Sequence, residues 1–324
     1  MQFRNSIGQC VMTVLLCGTI IIGNGCYDAD FNEPTAPTTA EDAITVDPNL
    51  SLFEETVNKA NLGGTLAGAG PFTVFTPDDA AFAASGISSA TISAMSQTDA
   101  QTLVNYHTLP GSTSFANFPA GPNAIVNTVS GDSVFVTKNS SGVFINGWKI
   151  NQPDITVSNG ILHKTERVLI PPRGNIVETA QLMTGVLDSF AKAVTVATTG
   201  IGGDPSINPL LTSTRVTAFA PNNQAFTNYL TSLGITDIAN IPKATLIAAL
   251  KYHLVSGRTF SSDLTNGNLT MSAGGTTVIN LTNGVGGGPT ITGAGNAGSF
   301  SNIISLNIVA RNGVIHVIDR VLLP

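Results

Sequence analysis

FTVFTPDDAAF, residues 72–82, and VTAFAPNNQAF, residues 216–226, are one segment written twice. In the first copy Phe72, Val74 and Thr76 alternate with Thr73 and Phe75, the pattern of a buried strand. Thr76-Pro77-Asp78-Asp79 then has the form of a helix start. Thr76 is the expected N-cap and Pro77 the first helical residue, with Asp78 and Asp79 in the first turn, where the helix dipole favours negative charge. The second copy keeps Pro221 but has Ala220, Asn222 and Asn223 in place of Thr76, Asp78 and Asp79. Turn character is retained and the carboxylates are not. The paired acids therefore read as capping residues, not as an acid–base couple.

Two further pairs follow in the same order. LVNYHTLPG (103–111) matches LKYHLVSG (250–257), and SNGILHKTERVLIPP (158–172) matches RNGVIHVIDRVLLP (311–324). The spacing between copies grows after His253, which places an insertion in the Gly-rich stretch 284–298, read as a surface loop. Leu246, Leu250 and His253 share a helix face, as do Ala100, Leu103 and His107, so both histidines point to a core. Tyr106 and Tyr252 sit one position off that face, with rings at its edge. Asn159-Gly160 and Asn312-Gly313 read as hairpin turns feeding strands, with His163 and His316 on the buried face of each. Leu50, Phe53 and Val57 recur as Leu187, Phe190 and Val194.

These segments resemble the first conserved box, the Tyr-His box and the second conserved box of the fasciclin (FAS1) domain, present twice and in order. The resemblance implies an α+β fold of two tandem domains, each a wedge-shaped β-sandwich flanked by short helices. The domains run over 46–172 and 173–324, with the boundary at PPRGN (171–175). Adhesive animal members of that family carry an Asp-Ile pair before the last box and the Tyr-His pair as contact motifs. That carries over to Asp154, Ile155, Tyr106 and His107, with Tyr252 and His253 as the second Tyr-His pair and Asn307-Ile308 departing from the pattern. Read from the residues alone, Asp154-Ile155 is a strand start with an exposed acid.

The N-terminus reads as an address. Arg4 is followed by an apolar run, Val11 to Ile22, too short to cross a bilayer comfortably. IIGNGC resembles the lipobox of bacterial lipoproteins, with Gly23 where a branched residue is preferred. The expectation is a signal peptide over 1–25, a lipid on Cys26 and a solvated tether over 26–45, rich in Thr, Pro, Ala and acid. Cys10 and Cys17 would leave with the signal, so the mature chain has no partner for an intrachain disulfide. Asp28, Asp30 and Glu33 resemble an acidic export signal. An outer-membrane, surface-exposed location follows from that reading.

Only 10% of the 324 residues are charged, and the formal net charge is −6. That balance argues against nucleic acid, which needs clustered Lys and Arg. The four histidines form a duplicated structural pair, with neither an HExxH motif nor a nearby Cys to suggest zinc. No nucleophile elbow or phosphate loop occurs. No catalytic residue, metal or cofactor is assigned. Thr76, Pro77, Asp78, His163, Pro221, Asn222 and His316 are structural. Trp148 is read as core or turn packing. The function expected is adhesion or binding of an extracellular protein or glycan. The alternatives are an accessory lipoprotein that binds solute or polysaccharide for nutrient uptake, and a hydrolase.

Overall fold

The computed structural model describes residues 39–324; the expected signal peptide, Cys26 and the first part of the tether lie outside them. The described part holds two repeats of one design, forming one compact unit. In repeat 1, helices α1 (Ala40–Val46), α2 (Ser51–Ala60) and α3 (Gly63–Leu66) precede strand β1 (Phe72–Pro77). Helices α4 (Asp79–Ala84), α5 (Ser89–Ala94) and α6 (Gln97–Tyr106) follow it. Strands β2 (Thr108–Pro110), β3 (Gly121–Asn127), β4 (Ser133–Asn139), β5 (Gly142–Ile145), β6 (Trp148–Val157) and β7 (Gly160–Thr165) complete the repeat. Repeat 2 runs α7 (Ile176–Leu182), α8 (Asp188–Thr198), α9 (Ile207–Thr212), β8 (Val216–Pro221), α10 (Asn223–Ser232) and α11 (Lys243–Tyr252). Its strands continue as β9 (Leu254–Ser256), β10 (Gly267–Thr270), β11 (Thr276–Asn280), β12 (Thr290–Gly293), β13 (Ser301–Ala310) and β14 (Gly313–Ile318).

Each repeat has one seven-stranded sheet, ordered β2-β1-β7-β6-β5-β4-β3 and β10-β11-β12-β13-β14-β8-β9. The first box supplies β1 and β8, and each pairs in parallel with the strand of the last box, β7 and β14. The sheet folds on itself. Phe75 of β1 and Tyr106 of α6 share a core with Val134 and Val136 of β4 and Ile145 of β5. The helices cover the opposite side, where Leu50, Phe53 and Val57 are buried with Val74 and Leu162. Complete burial of each such side chain stabilises by about 1.5–3 kcal/mol. The sequence-equivalent Leu187, Phe190 and Val194 are buried in the same way in repeat 2.

Three local expectations are corrected. The tether does not extend to residue 45, because α1 begins at Ala40 behind a Thr39/Asp42 capping box and buries Ala40, Ala43 and Ile44. One apolar turn is too short for its period to stand out in a Thr/Pro/Ala-rich stretch. The Gly-rich segment 284–298 is not only a loop, since Thr290–Gly293 is a strand with Thr290 and Ile291 buried. In the Asn-Gly hairpins the turn residues are Ser158-Asn159 and Arg311-Asn312, and each Gly opens the following strand. A Cβ on Gly160 would lie 2.1 Å from the Phe72 carbonyl oxygen, and one on Gly313 1.9 Å from that of Val216. These glycines permit close strand approach, not a left-handed turn.

Candidate functional site

The first box ends differently from its sequence reading. β1 continues through Pro77, which pairs with Thr165, so the helix begins two residues later and Asp78, not Thr76, is the N-cap. Sheet pairing overrides the local signal. The Asp78 carboxylate accepts from the Ala81 N–H at 2.8 Å, and in repeat 2 the Asn222 side chain accepts from Ala225 at 2.7 Å. Asp79 reaches across to the start of α2, accepting from Ser51 Oγ at 2.7 Å and the Leu52 N–H at 2.9 Å. Both carboxylates are engaged by the backbone of helix starts.

The Tyr-His pairs close α6 and α11, where adjacent side chains point into opposite cores. His107 is fully buried; Nδ1 donates to the Leu103 carbonyl at 2.8 Å and Nε2 accepts the Leu169 N–H at 2.9 Å. His253 repeats this with Ala249 at 2.7 Å and Leu322 at 2.9 Å. An imidazole that donates from one nitrogen and accepts at the other is neutral. Burial lowers both pKa values to about 4, against a smaller raising effect of the carbonyl bond. Tyr106 and Tyr252 are buried as well, not at a helix edge. Tyr106 Oη donates to the Ser133 carbonyl and accepts from Asn146 Nδ2, and Tyr252 Oη donates to Thr276 and accepts the Ala294 N–H. Contact between these four rings and a partner would require opening the core, so they are corrected from candidate binding residues to core residues.

The strand histidines hold the Asp-Ile segment. Asp154 lies in a bulge of β6 with φ of 58°, and Asn307 occupies the matching place in β13 with φ of 61°. Asp and Asn tolerate that left-handed conformation better than other side chains do. Its N–H is accepted by His163 Nδ1 at 3.1 Å in repeat 1 and by His316 Nδ1 at 3.3 Å in repeat 2. The other ring nitrogen donates to the Thr113 and Thr259 carbonyls, respectively. Burial takes the His316 pKa down to about 4 and lowers that of His163. The Asp154 carboxylate accepts the Phe115 N–H at 2.8 Å, and Ile155 is half-buried. Asp154 is exposed, so it is the one carried-over contact residue with an open side chain.

Sequence reasoning missed two further devices. Asn159 accepts the Ala40 N–H and donates to the Leu66 and Gly68 carbonyls; Asn312 accepts the Ile176 N–H and donates to Leu211 and Thr214. Each asparagine ties its hairpin to two helices. The signal was the duplicated Asn of the last box, which turn chemistry alone had explained.

The second device is the seam between repeats. Phe135 and Phe260 meet with ring centroids 5.8 Å apart, and the Arg258 guanidinium lies 4.2 Å over the Phe135 ring. Thr137 Oγ1 donates to Asp263 at 3.0 Å, and Ser261 Oγ to the Gly147 carbonyl at 3.2 Å. Beside this contact runs a groove of about 600 Å³ lined by Trp148, Arg167, Arg173, Leu182, Met183 and the strand segment Ile303–Val309. Half-buried Trp148 packs against the core of repeat 1, as expected of it, carries the Arg167 guanidinium 5.0 Å from its ring centroid and lines this groove.

Among the described residues no three His, Cys, Asp or Glu side chains are grouped to hold a metal ion, and no helix is long and apolar enough to cross a membrane. One carboxyl, Glu41, is pushed up in pKa, chiefly by burial and then by Glu54 and Asp42. It lines neither this groove nor the two smaller cavities of about 550 and 420 Å³.

Comparison with known proteins follows this duplicated geometry. The chain is 29% identical over 125 residues to the protein sll1483 of Synechocystis, covering 38% of this chain and 68% of that one. It is 27% identical over 132 residues to human periostin, covering 40% of this chain and only 16% of periostin. Among solved structures, a FAS1 domain pair from the insect cell adhesion molecule Fasciclin I aligns at a TM-score of 0.38 and 18% identity, over 85% of this chain and 97% of that one. The Fasciclin domain model matches residues 48–171 and again 192–324, one match per structural repeat. With more than half its length so matched, the chain belongs to the fasciclin domain family.

Proposed function

We propose that the protein is a non-enzymatic lipoprotein of a bacterial envelope, anchored through Cys26, whose tandem fasciclin domains bind an extracellular protein or glycan. The observation that carries this reading is the duplicated use of the box residues. Asp78, His107, His163 and their counterparts Asn222, His253 and His316 are each engaged in internal hydrogen bonds. Side chains committed in this way hold a scaffold and leave recognition to its surface. Similarity to a Synechocystis protein supports a bacterial setting, and the lipobox-like IIGNGC before Cys26 supports the envelope.

Trp148 in the groove favours a second reading, a polysaccharide-binding accessory protein, since an aromatic ring in a cleft is a common element of ligand sites. The test is an array of glycans and extracellular proteins probed with the full chain in detergent. Saturable binding without turnover is expected. Release of products from an array component would overturn the non-enzymatic reading, and no binding would overturn the adhesion reading. Cys26→Ser is expected to move the protein from the membrane to the soluble fraction. Unchanged membrane association would remove the anchor.

A further inference from the structure

Arginine and lysine are segregated in this molecule. Seven lysines and six arginines lie in the described residues, and five of those arginines line two cavities at the seam while none of the lysines does. Arg167 and Arg173 belong to the larger groove. Arg215, Arg258 and Arg311 line a cavity of about 420 Å³, together with Ile125, Asp132 and Phe135 of repeat 1. Lysines instead engage the scaffold, as in Lys164 with Asp47, Lys192 with Asp237 and Lys251 with Asp204.

The three-arginine cavity sets three guanidiniums against one carboxylate, Asp132, and pairs none of them with it. Among the described residues, none of the three guanidiniums lies within ion-pair distance of a carboxylate; the one arginine that does is Arg173, 3.9 Å from Asp99. Arg258 is held between the Phe135 ring and the Arg311 carbonyl, to which its Nη2 donates, and its Nε is buried with no partner. Burial, and after it the charge of Arg215, lowers the pKa of Arg258. Clustered like charges with an orphaned donor oppose folding. In an acidic protein such a cluster is explained by a ligand that supplies the missing negative charge. Guanidinium forks match the oxygens of carboxylate and sulfate in bidentate fashion, which ammonium does not.

Building on the proposed glycan-binding reading, we infer that the seam is a binding site for an acidic polysaccharide, with a carboxylate or sulfate group seated among Arg215, Arg258 and Arg311. Strand β13 and its turn connect the two arginine stations, Ile303–Val309 lining the groove and Val309–Asn312 the cavity. At about 3.3 Å per residue that path is roughly 30 Å long, suited to a chain with anionic groups at intervals. A flat anionic membrane does not enter a recess, and the net charge of −6 repels it. The cavity volume lies within the roughly 300–1,000 Å³ range of ligand sites.

The test is calorimetric titration of the full chain with polygalacturonate and dextran sulfate, against uncharged dextran, polyglutamate, inorganic sulfate and phosphatidylglycerol vesicles. Binding to an acidic polysaccharide is expected, weakened by salt and by at least tenfold in the double variant Arg215→Gln/Arg311→Gln. Both side chains are exposed, so the melting temperature should be unchanged, and Arg320→Gln, outside the seam, should bind as wild type. Arg258→Lys keeps the charge but loses the fork, and is expected to weaken binding as well. Acidic polysaccharide bound equally by the double variant overturns the site and leaves the glycan reading intact. Binding only to neutral glycans or proteins on the array overturns this inference alone, whereas no binding anywhere overturns both. Equal or tighter binding of polyglutamate or vesicles, or of inorganic sulfate alone, overturns the saccharide assignment.

Discussion

Asn223 donates its side-chain amide to the Asp188 carboxylate at 2.8 Å, while the equivalent positions of repeat 1 hold Asp79 and Ser51, where the hydroxyl donates to the acid at 2.7 Å. The carboxylate has changed sides between repeats, and the contact survives because its partner changed with it. In each repeat the first-box side chain also accepts a helix-start N–H, from Leu52 or from Ser189. Asn223→Asp would set two carboxylates against each other, so it should lower the melting temperature and raise the Asp188 pKa, now held down by Asn223 first and the Gly185 N–H second. Adding Asp188→Ser recreates the repeat 1 pairing and should restore most of the loss. A double variant no more stable than Asn223→Asp alone would show that the pairing is not the cause.

The buried histidines set an acid limit. His107, His253 and His316 have folded pKa values of about 4 against an ordinary 6.5, each lowered chiefly by burial, and His163 shifts the same way. The unfolded chain therefore binds more protons below 6.5. Their contribution is fully present above pH 6.5, falls as pH drops, and is lost by about 4. Each histidine adds a slope of up to about 1.4 kcal/mol per pH unit in that window. Glu41, with its raised carboxyl, opposes the trend. Urea unfolding from pH 7.5 to 4 should show a plateau and then a steep decline, and a flat profile would contradict neutral buried imidazoles.

Asn312 carries three hydrogen bonds from a buried position. Asn312→Ala orphans the Ile176 N–H and two carbonyls, at about 1–3 kcal/mol for each group left dry. Asn312→Asp keeps the acceptor but loses both donors, and should be destabilised too. Unfolding by circular dichroism checks both, with Asn123→Ala as the milder comparison, since half-buried Asn123 donates one side-chain bond across the seam, to the Arg258 carbonyl.

The parts legible in the sequence were those that occur twice. FTVFTPDDAAF and its copy identify the central strand and the helix after it, and the Tyr-His and Asn-Gly boxes locate four buried histidines because spacing and chemistry repeat together. What was misread turned on tertiary pairing. Pro77 stays extended because Thr165 is across from it, which no local propensity records, and Tyr106 is buried because the sheet folds back over α6. The seam was invisible for a different reason. Phe260 aligns with Ser114 and Phe135 with Val278, so residues that join the repeats are those in which the repeats differ. Self-similarity cannot reveal them.

Those differing residues determine whether the repeats unfold together. Phe260 is fully buried against Phe135, Val309 and Val314, and truncation of a buried Phe typically costs about 3–5 kcal/mol. The cost falls on the seam, because Phe260 lies outside the main cores of either repeat. Trp148, the sole tryptophan, packs against the core of repeat 1 at the edge of the groove, so its fluorescence reports mainly on that repeat while far-ultraviolet circular dichroism follows both. In the wild-type chain the two signals should give one coincident denaturant transition, as coupling through the seam requires. In Phe260→Ala they should separate, with a circular dichroism phase that the fluorescence does not share. Val278→Ala, at the exposed counterpart of Phe135, should leave the transitions together. Coincident curves in Phe260→Ala would mean that the linker through residues 171–175, not the aromatic contact, couples the repeats.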